Sequence, residues 1–127
     1  MRVLIVDDSK IVCEGLQQML INIPGVEIVG QANDGQDAIT AISEYEPDVV
    51  ILDIRLPDLS GIDVLADIRA KNLSTRVIML TNYPYLQYRK KCEELGADYF
   101  FDKVTEIEEI SKVIEELAKK EHEKRQE

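Results

Sequence analysis

The sequence predicts an α/β domain built on a doubly wound sheet of five parallel strands, and three observations carry that prediction. Short aliphatic runs alternate five times with stretches of helical periodicity, the pattern that sets a parallel sheet between two layers of helices. The runs Val3–Val6 and Val49–Leu52 contain no polar residue, as expected of strands buried on both faces. Four runs lead into residues able to do chemistry: Asp7 with Asp8, Asp53, Thr81 and Lys103. In an open parallel sheet the carboxyl ends of the strands share one edge, and ligands bind outside that edge.

Each element has its own signals. After Val3–Val6, Ser9 is a suitable helix N-cap, and Val12, Leu16, Met19, Leu20 and Ile23 follow at helical spacing until Pro24-Gly25 stops the pattern. Val26–Val29 alternates more and reads as a strand nearer an edge, with Asn33-Asp34-Gly35 as its turn. Ala38, Ile39 and Ile42 mark the second helix. The central strand Val49–Leu52 delivers Asp53 to a loop marked by Pro57 and Gly61, and a helix from about Ile62 carries Val64, Leu65 and Ile68. Arg76–Leu80 is a fourth buried strand ending at Thr81. Pro84 suits the first turn of a helix whose stripe is Tyr88, Cys92 and Leu95, with Gly96 as its stop. Asp98–Phe101 is the fifth strand, leading to Asp102-Lys103, and a last helix buries Ile107, Ile110, Val113, Ile114 and Leu117.

At 127 residues the chain is read as one domain over residues 1–118, followed by a charged segment, 119–127, that extends the last helix or frays. A hydrophobic share of 45% argues against disorder. The net charge of −10 argues against direct binding of a nucleic-acid backbone. No apolar run approaches membrane-spanning length, and the N-terminus enters a strand without a signal-peptide pattern. Cys13 and Cys92 lie far apart within helical patterns and read as buried free thiols. Together these features predict a cytoplasmic protein.

Taken singly, the polar strand ends have ordinary explanations. A carboxylate after a buried strand often caps the next helix, and a lone Thr or Lys in a loop carries little information. Their joint placement does not reduce to caps. Three carboxylates converging on one edge repel one another and raise at least one pKa unless a cation offsets them. Hard oxygen ligands with few other donors suit Mg²⁺. The Thr81 hydroxyl and Lys103 ammonium suit phosphoryl oxygens, so the set matches the needs of an aspartyl-phosphate site.

The motifs Val6-Asp7-Asp8-Ser9, Leu52-Asp53-Ile54-Arg55-Leu56-Pro57 with Ser60-Gly61, Leu80-Thr81-Asn82, and Gly96-Ala97-Asp98 with Lys103 resemble those of response-regulator receiver domains. The resemblance covers Arg2 to about Ala118 and implies a flavodoxin-like fold with strand order 2-1-3-4-5. It implies Asp53 as phosphoacceptor, Asp8 as a direct Mg²⁺ ligand, Asp7 acting mainly through water, and the Arg55 backbone carbonyl completing the protein ligands. It further implies that Thr81 binds the phosphoryl group, Lys103 pairs with it, and Phe100 holds an aromatic switch position. Val104 stands where the family usually has proline after the lysine, commonly with a cis peptide. For a non-proline residue that geometry costs ~2.5–4 kcal/mol.

The function implied is a phosphorylation-controlled signalling switch, phosphorylated by a sensor histidine kinase or phosphotransfer protein and read out on the face of the fourth helix, fifth strand and last helix. Its activity is limited to self-phosphorylation and self-dephosphorylation at Asp53. The chain is either a single-domain regulator or the receiver part of a DNA-binding regulator, and homodimerisation on phosphorylation is a further expectation. A flavin-binding electron carrier of similar fold is the competing class, but Asp7-Asp8 stands where such a protein needs a phosphate cradle. A phosphatase with paired acids two residues apart after the first strand is also disfavoured. His122, in the charged segment, reads as solvated, and Tyr83 and Tyr85 as a contact surface or partial packing. Arg55 and Tyr83, each two residues after a site residue, are expected to flank the approach of water to the phosphoryl group.

Overall fold

A computed structural model describes residues 1–126 as five strands and five helices in strict alternation. These are β1 (Arg2–Val6), α1 (Lys10–Leu20), β2 (Glu27–Ala32), α2 (Gly35–Tyr45), β3 (Val49–Leu52), α3 (Gly61–Ala70), β4 (Arg76–Thr81), α4 (Leu86–Glu94), β5 (Tyr99–Asp102) and α5 (Glu109–Arg125). The strands form one parallel sheet in the order β2-β1-β3-β4-β5, the order expected. β3 sits in the middle with every residue buried.

Side chains of a strand alternate between faces, and the aliphatic runs therefore feed two cores. Leu4, Val6, Val50, Leu52, Val77 and Met79 pack under α2, α3 and α4 with Ala38, Ile42, Val64, Leu65 and Ile68. Val3, Ile5, Val49, Ile51, Ile78 and Leu80 pack under α1 and α5 with Leu16, Leu20, Ile110 and Ile114. Each such fully buried aliphatic side chain contributes ~1.5–3 kcal/mol, and the rigid sheet they stabilise is what aligns the strand ends. Both cysteines are buried and free, and burial pushes the Cys92 thiol up to about 11.

The boundaries depart from expectation in four places. β2 starts at Glu27 and runs to Ala32, and its register against β1 slips between Val3 and Leu4, passing over Val29; such a bulge breaks the alternation by which a strand is recognised. β5 starts one residue late because Asp98 is spent on other contacts: it accepts from the Val77 amide at 2.8 Å and pairs with Arg69 and Arg76 at 3.1 and 3.3 Å. Pro84 precedes α4 rather than lying in its first turn, with Tyr85 at the N-cap. Ile107 precedes α5, in turns closed by the Glu106 carboxylate on the Asp102 amide. The charged segment continues α5 to Arg125, with Arg125 and Glu121 paired at 2.6 Å. The end of that segment, Glu127, lies outside the described residues. Among those residues, no helix is long and apolar enough to cross a membrane.

Candidate functional site

The ends of β1, β3, β4 and β5 bring Asp7, Asp8, Asp53, Thr81 and Lys103 to one edge of the sheet. Backbone bonds set their heights: the Asp53 amide donates to the Val6 carbonyl at 3.0 Å, and the Lys103 amide to the Thr81 carbonyl at 2.8 Å. The explanation by helix caps does not hold, because the caps are other residues: Ser9 for α1, Asp34 for α2 and Ser60 for α3. Asp7 has a partial structural duty, its Oδ1 accepting from the Ser9 amide at 2.8 Å.

Lys103 Nζ lies between two carboxylates, 2.7 Å from Asp7 Oδ2 and 3.2 Å from Asp53 Oδ2. All three side chains are at least nine-tenths buried, at 8%, 3% and 7% exposure, so this is a desolvated cluster and not a surface ion pair. Asp8 is exposed at its rim. One carboxylate oxygen from each of Asp7, Asp8 and Asp53 lies within 4.8 Å of the others. An all-oxygen, acid-rich donor set with an exposed member fits a hard cation that keeps several waters, and fits Mg²⁺ better than a soft metal.

Burial raises the Asp53 carboxyl above the usual carboxylate range; the Lys103 charge opposes the shift and the Asp7 charge adds to it. Repulsion was the cause expected, and desolvation is the larger one. Burial alone would depress the Lys103 ammonium, but its bonds and charge interactions with Asp7 and Asp53 outweigh it and hold the pKa above its ordinary value.

Thr81 is fully buried, its Oγ1 accepting from the Tyr83 amide at 3.0 Å. That bond turns Tyr83 back over the β3–α3 loop, where the Arg55 guanidinium carbon lies 3.9 Å from the Tyr83 ring centre. Tyr85 and Tyr88 continue the aromatic row, with ring centres 6.1 and 5.5 Å apart along Tyr83-Tyr85-Tyr88. Partial packing against Arg55 and exposure at Tyr85 thus coexist. Phe100, on β5, is buried in the core under α2, α3 and α4, with the Arg89 guanidinium carbon 4.6 Å from its ring centre. At this expected switch position the ring lies inward. Val104 is exposed, its amide bonded to Asp102 Oδ1 at 2.8 Å; among the described residues no peptide bond is cis. His122 is exposed on α5.

Inspection of the sequence missed Asp58. Its carboxylate accepts from the Gly35, Gln36 and Leu59 amides at 2.7, 3.0 and 2.7 Å, tying the β3–α3 loop to the start of α2. Those amides hold the Asp58 carboxyl below the usual range, Gly35 most of all. Gly35 and Gln36 are 23 and 22 residues away, beyond any local pattern.

The model of the response regulator receiver domain family matches residues 3–115. Response regulator GacA of Pseudomonas aeruginosa is 28% identical over 91% of this chain and 54% of its own length. A DNA-binding response regulator of the LuxR family from Staphylococcus aureus superposes with a TM-score of 0.85 at 32% identity, covering 92% of this chain and 98% of that chain. A chain of the CheX-CheY-BeF3-Mg²⁺ complex from Borrelia burgdorferi superposes with a TM-score of 0.77 at 31% identity, covering 90% and 89%. The present chain spans about half the length of the curated relatives it matches.

Proposed function

This chain belongs to the response regulator receiver domain family, and from that premise we propose that it is a switch set by phosphorylation of Asp53. The observation that carries the reading is the buried Lys103 ammonium held between the Asp7 and Asp53 carboxylates. A nucleophile, a cation aimed at its oxygen and an acid cluster at its side are the parts that phosphoryl transfer to a carboxylate requires. An Asp53 oxygen attacks the phosphorus of a phosphohistidine or a small acyl phosphate. The new bond is O–P, and the donor's P–N or P–O bond breaks as its leaving group departs.

Asp8 and Asp53, with Asp7 through water and the Arg55 carbonyl, are the residues that would hold Mg²⁺. The ion would supply charge neutralisation for the transferring oxygens. Lys103 exchanges part of its hold on Asp53 for the phosphoryl group, and the Thr81 hydroxyl, which accepts from the Tyr83 amide, donates its proton to that group. A neighbour solved with BeF3 and Mg²⁺ supports this reading, because BeF3 on a carboxylate oxygen is a tetrahedral stand-in for a phosphoryl group. Movement at Thr81, passed to Phe100 and Arg89, would alter the α4–β5–α5 face, a two-state population shift rather than a new fold.

We take residues 1–118 as the receiver domain and 119–127 as a charged C-terminal segment, helical to Arg125. The partner upstream is a histidine kinase or phosphotransfer protein in the cytoplasm. Downstream, an output domain or target protein reads the α4–β5–α5 face, and homodimerisation on phosphorylation is a further output. A DNA-binding response regulator is among the structural neighbours, so a DNA-binding output domain is the alternative to a single-domain regulator, with no nucleic-acid contact by this domain itself. Incubation with acetyl phosphate and Mg²⁺ should add one phosphoryl group, mapped by mass spectrometry to Asp53 and absent in Asp53→Asn. Asp8→Ala should abolish Mg²⁺ binding in a titration while stabilising the metal-free fold, as removal of a functional repulsion does. Labelling of Asp53→Asn, or undiminished Mg²⁺ affinity in Asp8→Ala, would overturn the assignment.

The stack of Arg55 on Tyr83 has a consequence for the phosphorylated state. Both side chains flank the line along which water attacks phosphorus, and neither carries a carboxylate or amide to orient that water. The phosphoryl group is therefore shielded and long-lived. The double variant Arg55→Asn, Tyr83→Glu should lose it roughly tenfold faster, short of the ~10²–10⁴-fold that a fully positioned base contributes. An unchanged half-life, followed by loss of the added mass, would sink this reading.

A further inference from the structure

We propose that Asp58 is a positioning residue for the phosphorylation site, acting by tethering the β3–α3 loop to α2. The inference rests on the phosphoryl and Mg²⁺ reading above. At its base the loop is closed by the Gly61 amide on the Ile54 carbonyl at 2.6 Å and by an antiparallel bridge between Arg55 and Ser60. Asp53 and the Arg55 carbonyl are thus held at the mouth of a narrow loop whose far end is Asp58.

That far end is held by α2. The amides at the start of a helix lack intrahelical acceptors. Here Asp37 donates to the side chain of Asp34 at 2.8 Å, whereas Gly35 and Gln36 donate to the two oxygens of Asp58. The helix therefore begins on two caps, one from its own chain segment and one from the loop of the site. The surfaces are also in close contact: a Cβ on Gly35 would come within 2.6 Å of Leu59 Cβ and 3.2 Å of Asp58 Oδ1. A third bond, from the Leu59 amide to Asp58 Oδ1, fixes the carboxylate within its own loop. Asp58 touches neither Asp53 nor the acid cluster through any of these bonds. Its effect on chemistry is indirect, through the direction in which the loop presents the Arg55 carbonyl and the Asp53 side chain.

The test uses Mg²⁺ affinity, measured by titration of the unphosphorylated chain, the initial rate of labelling by acetyl phosphate, and amide exchange. Asp58→Ala should weaken Mg²⁺ binding about tenfold, the lower end of what outer partners of metal ligands contribute, and slow labelling to a similar extent. In the metal-free protein the Gly35 and Gln36 amides should exchange faster. Asp58→Asn keeps an oxygen for Gly35 and should fall between the two. A matched control separates positioning from general loosening: Ala41→Gly weakens α2 through its middle without touching the tether, and should leave Mg²⁺ affinity at the wild-type value. Asp58→Ala with affinity within about twofold of wild type, or Ala41→Gly as damaging as Asp58→Ala at equal stability loss, overturns the proposal. Wild-type protein that binds no Mg²⁺ defeats the functional reading as well, which distinguishes the two failures.

Discussion

Gly61→Ala is expected to unseat the β3–α3 loop, with the largest loss of stability of any single methyl addition at a glycine of this chain. A Cβ at Gly61 would stand 1.9 Å from the Asp53 carbonyl oxygen, 2.8 Å from its carbon and 3.0 Å from Ile54 Cα. All three atoms are backbone, so no side chain can rotate aside. Either α3 moves away from β3, breaking the 2.6 Å bond between the Gly61 amide and the Ile54 carbonyl, or Asp53 is displaced from Lys103. The cost should reach or exceed the top of the ~1–3 kcal/mol typical of overpacking, and labelling by acetyl phosphate should fall with it. Gly15→Ala is the contrasting case. A Cβ there has nothing within 4 Å, and in the middle of α1 alanine should add ~0.5–1 kcal/mol. Urea denaturation of both variants decides the matter; equal midpoints for Gly61→Ala and wild type would show that the close approach is not real.

Lys103→Ala is expected to cost about 3–5 kcal/mol at neutral pH in Mg²⁺-free buffer, as removal of one partner from a buried ion pair does. The ammonium is the cation that bonds both Asp7 and Asp53, and all three groups are at least nine-tenths buried. Without it, two desolvated carboxylates face each other. The sign of the pH dependence follows from the raised Asp53 pKa. A carboxyl whose pKa is higher in the folded state burdens that state only when ionised, so the burden is absent in acid and grows as pH rises through the raised value. In the variant, loss of the Lys103 charge raises that pKa further. The stability gap to wild type should therefore be small near pH 4, within the ordinary carboxylate range, and widen towards neutrality. Mg²⁺ should narrow it again, because the ion replaces the missing charge without replacing the contact to a phosphoryl group. Phosphorylation should remain impaired in the presence of Mg²⁺. A gap independent of pH and of Mg²⁺ would mean that Lys103 acts only through the packing of its carbon stem.

Much of the fold and the members of the site were legible because their signals are local. Val49–Leu52 lacks polar alternation because both faces of β3 are covered, and Asp53 is conspicuous because a carboxylate follows such a run directly. Ser9 announces the start of α1 by the bond its side chain accepts from Val12, three residues on. Errors arose where a distant contact overrode the local pattern. Asp98 looks like the first residue of a strand but is committed to Val77, Arg69 and Arg76. The slipped register of β2 shows only in its pairing with β1, where Val29 is passed over.

Residue order along the chain was enough to read the alternation of five strands and five helices and the polar residues at the strand ends. These follow from burial and periodicity, which act on residues a few positions apart. The tertiary structure alone decided which carboxylates share Lys103, that Phe100 already lies inward under Arg89, that Arg55 stacks on Tyr83, and that Asp58 holds α2 to the site loop. Each of these joins groups from different segments at distances of a few ångströms. Hydrogen bonds and ion pairs require that proximity and leave no periodic trace in the chain, so only the packing of helices on the twisted sheet determines which pairs form.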